Sequence, residues 1–191
     1  MNTSTLLRGL AAFAALLLTA AAQAQIVRLS TTQGDIRIQL DAQKAPKTVA
    51  NFLQYVKAGH YNGTVFHRVI PEFMIQGGGY TQSLQQKPTK PPIPLESNNG
   101  LLNLRGSIAM ARSGNPNSAT SQFFINTVDN AFLDAATSRD GFGYAVFGQV
   151  IDGMDVVDKI RALPTQAVSE AFQNLPTTAV LITKAIVEKQ K

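Results

Sequence analysis

Short segments with the period of a β-strand dominate this chain, and only two stretches switch to the period of a helix. Ile36, Ile38 and Leu40 alternate with Arg37 and Gln39, the pattern of a strand with one face in a core. Thr32-Gln33-Gly34 supplies the turn that joins Asp35–Leu40 to a strand over Ile26–Thr31. Six more strands are predicted over Thr64–Val69, Phe73–Gly77, Gly106–Ala111, Gln122–Asn126, Ala145–Val150 and Val180–Val187. The first helical stretch is Pro46–Ala58, where Val49, Phe52, Leu53 and Val56 share a face and Gly59 ends the run. In the second, Asp152–Leu163, the inward residues are Val156, Val157, Ile160 and Leu163, with Asp152 as a candidate cap. Eight strands and two helices predict a mainly β fold and suggest a closed antiparallel barrel. Periodicity alone does not separate a barrel from a sandwich.

The first residues do not read as part of that fold. Met1–Arg8 is short and polar with one cation, Gly9–Ala22 is almost wholly Ala, Leu and Phe, and Ala22-Gln23-Ala24 has the small-x-small form of a cleavage site. A secretory leader over residues 1–24 is expected, with a single domain over residues 25–191. The rival reading is an uncleaved anchor, but the apolar run falls short of the roughly 20 residues that span a bilayer. No stable membrane insertion is expected after cleavage. The chain has no cysteine, which removes disulfides, thiol catalysis and an N-terminal lipidated cysteine. Loss of Arg8 with the leader leaves 16 basic residues against 12 acidic ones. The cations are scattered, so no nucleic-acid partner is expected.

The chemistry concentrates in Phe66–Gly79, FHRVIPEFMIQGGG, and in Ser121–Asn126, SQFFIN. The first holds a permanent cation, Arg68, close to an apolar pair, Phe73 and Met74, and to an amide, Gln76, that both donates and accepts. Together they suggest an apolar pocket with a few placed hydrogen-bonding groups and no nucleophile. Rotation about a prolyl peptide bond is a reaction that needs only this. Its barrier of about 18–20 kcal/mol is lost amide resonance. In the twisted state the prolyl nitrogen regains its lone pair, and a donor aimed at it stabilises that state more than either planar one. Arg68 suits that donor role with its rigid, always-charged fork; by residue type alone, an arginine paired with a surface carboxylate is the commoner case. Phe73, Met74, Phe124 and Leu133 suit the walls for a flat ring, although Phe and Met at strand positions are usually core. Ile75 alternates inward.

Other motifs carry less. Gly77-Gly78-Gly79 lacks the phosphate-loop pattern and opens no helix, so a turn is expected. His67 is expected to be structural, its ring bonded to nearby backbone, and His60 to be exposed. The two histidines have no carboxylate cluster beside them, so no metal and no cofactor are expected. The long segments Tyr80–Gly100, with four prolines, and Arg112–Thr120 read as surface loops that border the groove.

FHRVIPEFMIQGG, then SIAMAR, SQFFIN, FLD and YAVFGQV in that order, resembles the cyclophilin-type peptidyl-prolyl cis-trans isomerases, above all the exported periplasmic cyclophilins of Gram-negative bacteria. The resemblance runs from about Ile26 to Val187. It implies an eight-stranded closed barrel capped by two helices, with a packed interior and an external substrate groove. It implies Arg68 as the catalytic donor and a proline pocket of Phe73, Met74, Phe124 and Leu133. Gln76 would hold substrate backbone, Gln122 would orient its neighbours, and Ala111 would line the groove with its main chain. Two positions depart from the better-known eukaryotic pattern. Phe132 stands where many members carry Trp, and Tyr144 where many carry His. Both are expected at the groove, and loss of the indole N–H implies weak cyclosporin binding. The partners implied are proline-containing segments of unfolded or folding exported proteins in the periplasm, with chaperone-like service to folding, by a protein expected to be a monomer. A non-catalytic proline-binding module of the same fold and a barrel carrying a small apolar ligand remain alternatives.

Overall fold

The computed structural model describes residues 25–189; the expected leader and its cleavage site at Ala24 lie outside them. In chain order the elements are β1 (Ile26–Thr31), β2 (Gly34–Leu40), α1 (Pro46–Lys57), β3 (Thr64–Ile70), β4 (Met74–Thr81), β5 (Ser107–Met110), β6 (Phe123–Asn126), a 3-10 turn at Ala131–Leu133, β7 (Val146–Asp152), α2 (Met154–Arg161), β8 (Thr165–Gln166), β9 (Leu175–Pro176) and β10 (Leu181–Val187). Eight strands close into a barrel in the order β1-β10-β3-β4-β6-β5-β7-β2, and every pairing is antiparallel. Strands β8 and β9 make a separate hairpin, each only two residues long and too short to show a period.

Alternation along each strand decides what fills the barrel. Val27, Leu29, Ile36 and Ile38 from the first hairpin point inward and are fully buried. Helix α1 lies against the barrel and adds Phe52, whose ring meets Tyr61, Phe123 and Phe147 at centroid distances of 5.2, 5.6 and 5.1 Å. Such tilted and edge-on aromatic pairs contribute beyond their buried area. A ligand-carrying barrel needs an empty interior, and this one is filled by side chains. A second, smaller apolar cluster of Met74, Ala109, Phe124, Leu133 and Val146 forms apart from that interior.

Several local expectations need correcting. Gly77-Gly78-Gly79 does not turn but continues β4. A Cβ on Gly78 would stand 2.8 Å from the Tyr61 ring and one on Gly79 2.5 Å from the Gln122 side chain. The glycines allow a close approach inside a strand rather than a reversal. Asp152 does not cap α2; it ends β7 opposite Arg37, and the cap position belongs to Gly153 at φ +88°. Helix α1 receives its cap from far away in sequence. The Glu96 carboxylate accepts the backbone N–H groups of Lys47 and Thr48 at 3.1 and 2.8 Å and the Thr48 hydroxyl at 2.7 Å. This satisfies first-turn donors that would otherwise lack partners and puts an anion at the positive end of the helix. It also ties the long proline-rich loop to the barrel.

Gly153 is the position where conformation and space coincide. A Cβ there would lie 2.2 Å from the Asp35 carbonyl oxygen, on top of a left-handed backbone. Gly153→Ala is therefore expected to lower unfolding free energy by about 1–3 kcal/mol, read by urea denaturation; an unchanged midpoint would contradict this account of the β7–α2 junction.

Candidate active site

The register of four adjacent strands sets out one row of residues. Arg68 on β3 faces Gln76 on β4, Gln76 faces Phe124 on β6, and Phe124 faces Ala109 on β5. A register shift between Phe66 and Arg68 inserts an extra residue, His67, into β3. Phe66 and Val69 thus stay in the core while Arg68 sits at the edge of the second cluster. Bulges commonly re-aim a side chain in this way. Ile75 points into the barrel as its alternation requires.

These residues surround a small cleft of about 110 Å³. Arg68 and Gln76 stand at one end, and Phe73, Met74, Phe124 and Leu133 form apolar walls. Ala111, Arg112 and Tyr144 complete the rim. The volume suits one small ring and lies below the roughly 300–1,000 Å³ of a drug-sized ligand pocket. A larger hollow of about 580 Å³ runs past Leu101, Leu102 and Leu104, but its only titratable lining residue is Asp41 and it offers no cation. Chemistry therefore favours the smaller cleft.

Arg68 is half-buried, and burial pulls its pKa below the usual arginine value. Its Nη1 donates to Gln76 Oε1 at a long 3.4 Å, and Gln76 Nε2 donates to Gln122 Oε1 at 2.9 Å. The guanidinium also lies 5.7 Å from the Phe73 ring centroid. Among the described residues it enters no salt bridge. A carboxylate-paired surface arginine is thus not what the fold makes of it. Gln122 stands behind Gln76 rather than in the cleft. Phe132 also stays outside the ring-sized space: it is 57 % exposed and stacks on Phe73 at 5.5 Å, forming an outer lip. Tyr144 sets its ring edge-on to Phe124 at 5.6 Å.

The floor rests on a buried amide network. Asn130 Nδ2 donates to the Phe73 carbonyl and to Asn126 Oδ1, and Asn126 Nδ2 donates to Ser107 Oγ and Asn103 Oδ1. Asp134 accepts from the backbone N–H and side-chain amide of Asn103 at 2.7 and 2.8 Å. This fixes Phe73 and Leu133 from beneath. None of these amides announces itself in sequence, because the partners come together only through the sheet.

The histidines differ from expectation. His60 is part-buried, with Nε2 3.2 Å from the Gly78 carbonyl oxygen and its ring 4.7 Å from Tyr55. His67 lies near the Val65 backbone, yet its Nδ1 has no hydrogen-bond partner of good geometry. Its ring instead packs edge-on to Tyr80 and Phe172, at 4.7 and 6.1 Å. Of the two long loops, Arg112–Thr120 reaches the cleft through Arg112, whereas Tyr80–Gly100 does not line it. Sequence reading passed over Arg112; the signal was a lone cation directly after Ala111.

The matched family model, described as cyclophilin type peptidyl-prolyl cis-trans isomerase/CLD, covers residues 26–187. Peptidyl-prolyl cis-trans isomerase A of Dickeya dadantii is 54 % identical over 164 residues, 86 % of this chain and 85 % of that one. Peptidyl-prolyl cis-trans isomerase B of Escherichia coli is 52 % identical over 165 residues, 86 % of this chain and all of that one. A crystal structure of a Cryptosporidium parvum cyclophilin type isomerase, in the presence of the dipeptide Ala-Pro, superposes with a TM-score of 0.72 at 27 % identity, covering 87 % of this chain and 100 % of that one. The chain belongs to the cyclophilin-type peptidyl-prolyl cis-trans isomerases. Its barrel is the cyclophilin barrel, and its enzymatic activity is isomerisation of peptidyl-prolyl bonds.

His67 makes the fold pH-sensitive. Burial, reinforced by the neighbouring Arg68 charge, pushes its pKa down to about 4. A histidine depressed in the folded state is stabilising above its unfolded pKa near 6.5, and the contribution is lost as pH falls through 4. Between pH 6.5 and 4, the wild type is expected to lose up to about 3 kcal/mol more than His67→Asn. Parallel urea melts across that window check it; identical slopes would contradict it.

Proposed function

We propose that this enzyme turns Xaa-Pro bonds by electrostatic stabilisation of the twisted amide, with Arg68 as the donor and no covalent intermediate. The observation that carries this is the state of Arg68: half-buried in the lining of a ring-sized cleft, outside any salt bridge among the described residues, over the Phe73 ring, and hydrogen-bonded to the Gln76 amide at a long 3.4 Å. The proline ring enters between Phe73, Met74, Phe124 and Leu133, and its burial there anchors the residue. Gln76 accepts or donates to substrate backbone beside the rotating bond, and Gln122 holds its orientation. As the C–N bond twists, the prolyl nitrogen becomes an acceptor, and the free N–H groups of the Arg68 fork meet it. Planar ground states offer no such acceptor, so the interaction lowers the barrier instead of tightening binding equally. No proton moves and no bond to the protein forms.

Arg68→Ala is expected to lower turnover by about 10²–10³ while peptide binding changes little. Arg68→Lys keeps the charge but loses the fork and should recover only part of the rate. Exchange of a short Xaa-Pro peptide measured by NMR, beside a binding isotherm and a thermal melt, distinguishes the cases. A folded Arg68→Ala protein with wild-type turnover would remove Arg68 from the mechanism.

The substrates we assign are proline-containing segments of exported proteins as they fold in the periplasm, on the strength of the leader-like first 24 residues. Cell fractionation with mass spectrometry is expected to find the protein outside the cytoplasm and beginning near Gln25. Cytoplasmic protein that retains Met1 would overturn this assignment while leaving the isomerase chemistry untouched.

A further inference from the structure

Arg112 is the second cation at the cleft, and its side chain is only 2 % exposed. Its guanidinium lies over the Tyr144 ring, 4.5 Å from the centroid. Three of its nitrogens are committed elsewhere: Nε donates to the Gly143 carbonyl at 2.9 Å, Nη1 to the Ser113 carbonyl at 3.0 Å, and Nη2 to the Asp140 carboxylate. The same carboxylate, through its other oxygen, accepts the backbone N–H groups of Phe142 and Gly143 at 3.0 and 3.2 Å. The Arg112 guanidinium beside it holds the Asp140 carboxyl well below the usual carboxylate range.

These contacts act on a loop that is otherwise held by Ser97 Oγ, which donates to the Phe142 carbonyl, and by the Gly141 N–H, which donates to the Ser138 carbonyl at 3.0 Å. Gly141 and Gly143 both take positive φ, +72° and +64°, and the segment between them is exposed. The loop leads directly into Tyr144, whose N–H donates to the Leu133 carbonyl at 2.9 Å. Tyr144 is thus held by a cation over its ring, by the near-perpendicular Phe124 ring 5.6 Å away, and at its backbone by Leu133. Phe124 and Leu133 are two walls of the ring-sized cleft. A cation over an aromatic face is strongest when desolvated, as this buried one is.

We propose that Arg112 and Asp140 are positioning residues: a clasp that closes the Gly141–Gly143 loop and presses Tyr144 against Phe124, so setting how tightly the cleft grips the prolyl ring. The inference rests on the isomerase reading of the cleft. In it, Arg112 does not touch the rotating bond, and its remaining N–H groups are not required for catalysis. The clasp acts on substrate affinity, whereas Arg68 acts on the rate of rotation. The two cations of one cleft therefore divide binding from turnover.

The experiment is steady-state isomerisation of a short Xaa-Pro peptide by wild type, Arg112→Ala, Asp140→Asn, Tyr144→Leu and the Arg112→Ala/Tyr144→Leu double variant, each with a thermal melt. Asp140→Asn is near-isosteric and keeps an oxygen for the backbone N–H groups, so it tests the clasp where Arg112→Ala disturbs folding. Arg112→Ala is expected to raise KM by roughly three- to tenfold with kcat within about twofold. Asp140→Asn should shift KM the same way by less, and Arg112→Lys should recover part of the affinity through the retained charge. In the Tyr144→Leu background, Arg112→Ala should add nothing further to KM, because the ring it positions is gone. An unchanged KM in folded Arg112→Ala and Asp140→Asn, a fall confined to kcat, or KM effects that simply multiply with Tyr144→Leu would each overturn the clasp. Loss of folded protein alone would lower apparent kcat without moving KM, so a merely structural role reads out differently. Wild-type protein without turnover would instead refute the isomerase reading beneath it.

Discussion

Everything in this molecule follows from a sheet that closes on itself and is then filled. Strand β1 pairs with β2 on one side and β10 on the other, so the two ends of the described chain knit the barrel shut. Phe52, Tyr61, Phe66, Phe123 and Phe147 are buried and fill the inside. Recognition has to be built on the outer face. Because successive residues in a strand point to opposite faces, the same strands that supply the core supply the cleft. Phe123 and Ile125 pack the barrel while Phe124 between them walls the pocket.

Rigidity is the property the cleft draws from this. Arg68, Met74, Gln76 and Phe124 stand on paired strands, while Phe73 and Leu133 sit on short turns whose backbone the Asn103–Asn126–Asn130–Asp134 network supports. Differential stabilisation of a twisted amide needs donors already in place, since any reorganisation at the moment of rotation would subtract from it. The exceptions are where the rim leaves the sheet. There, the chain uses two left-handed glycines and compensates with the ionic contacts of Arg112 and Asp140.

Electrostatics in the cleft work through scarcity. Several other arginines meet carboxylates: Arg37 meets Glu188 at 2.8 Å and Arg105 meets Asp158 at 2.7 Å. The Arg105–Asp158 pair is exposed and contributes little to stability. Arg68 instead meets the Gln76 amide at a long 3.4 Å and the Phe73 ring, and enters no salt bridge among the described residues. Of the two cations in the same pocket, Arg112 is paired with Asp140 and Arg68 with no carboxylate among the described residues.

The eight barrel strands and both helices were legible in sequence, because alternation and helical spacing are local and those elements are long enough to show a period, whereas closure into a barrel rather than a sandwich was implied only by the family resemblance. Arg68, Phe73, Met74, Gln76 and Phe124 crowd into two short motifs and Leu133 into a third, Phe132-Leu133-Asp134, and the family resemblance of those motifs let them be named. Tertiary structure decided the rest. It made Gly77-Gly78-Gly79 part of a strand through the pairing of β4 with β3 and β6, where Tyr61 and Gln122 leave no room for a Cβ on Gly78 and Gly79. It gave α1 its cap from Glu96, forty-eight residues after Thr48. It turned Gln122 into a support and Phe132 into a lip. Arg112 stayed hidden because its meaning lies in Tyr144 and Asp140, which only chain closure brings to it. Sequence specifies what each residue can offer; which partner it meets across the sheet is a property of register and closure, which no local pattern encodes.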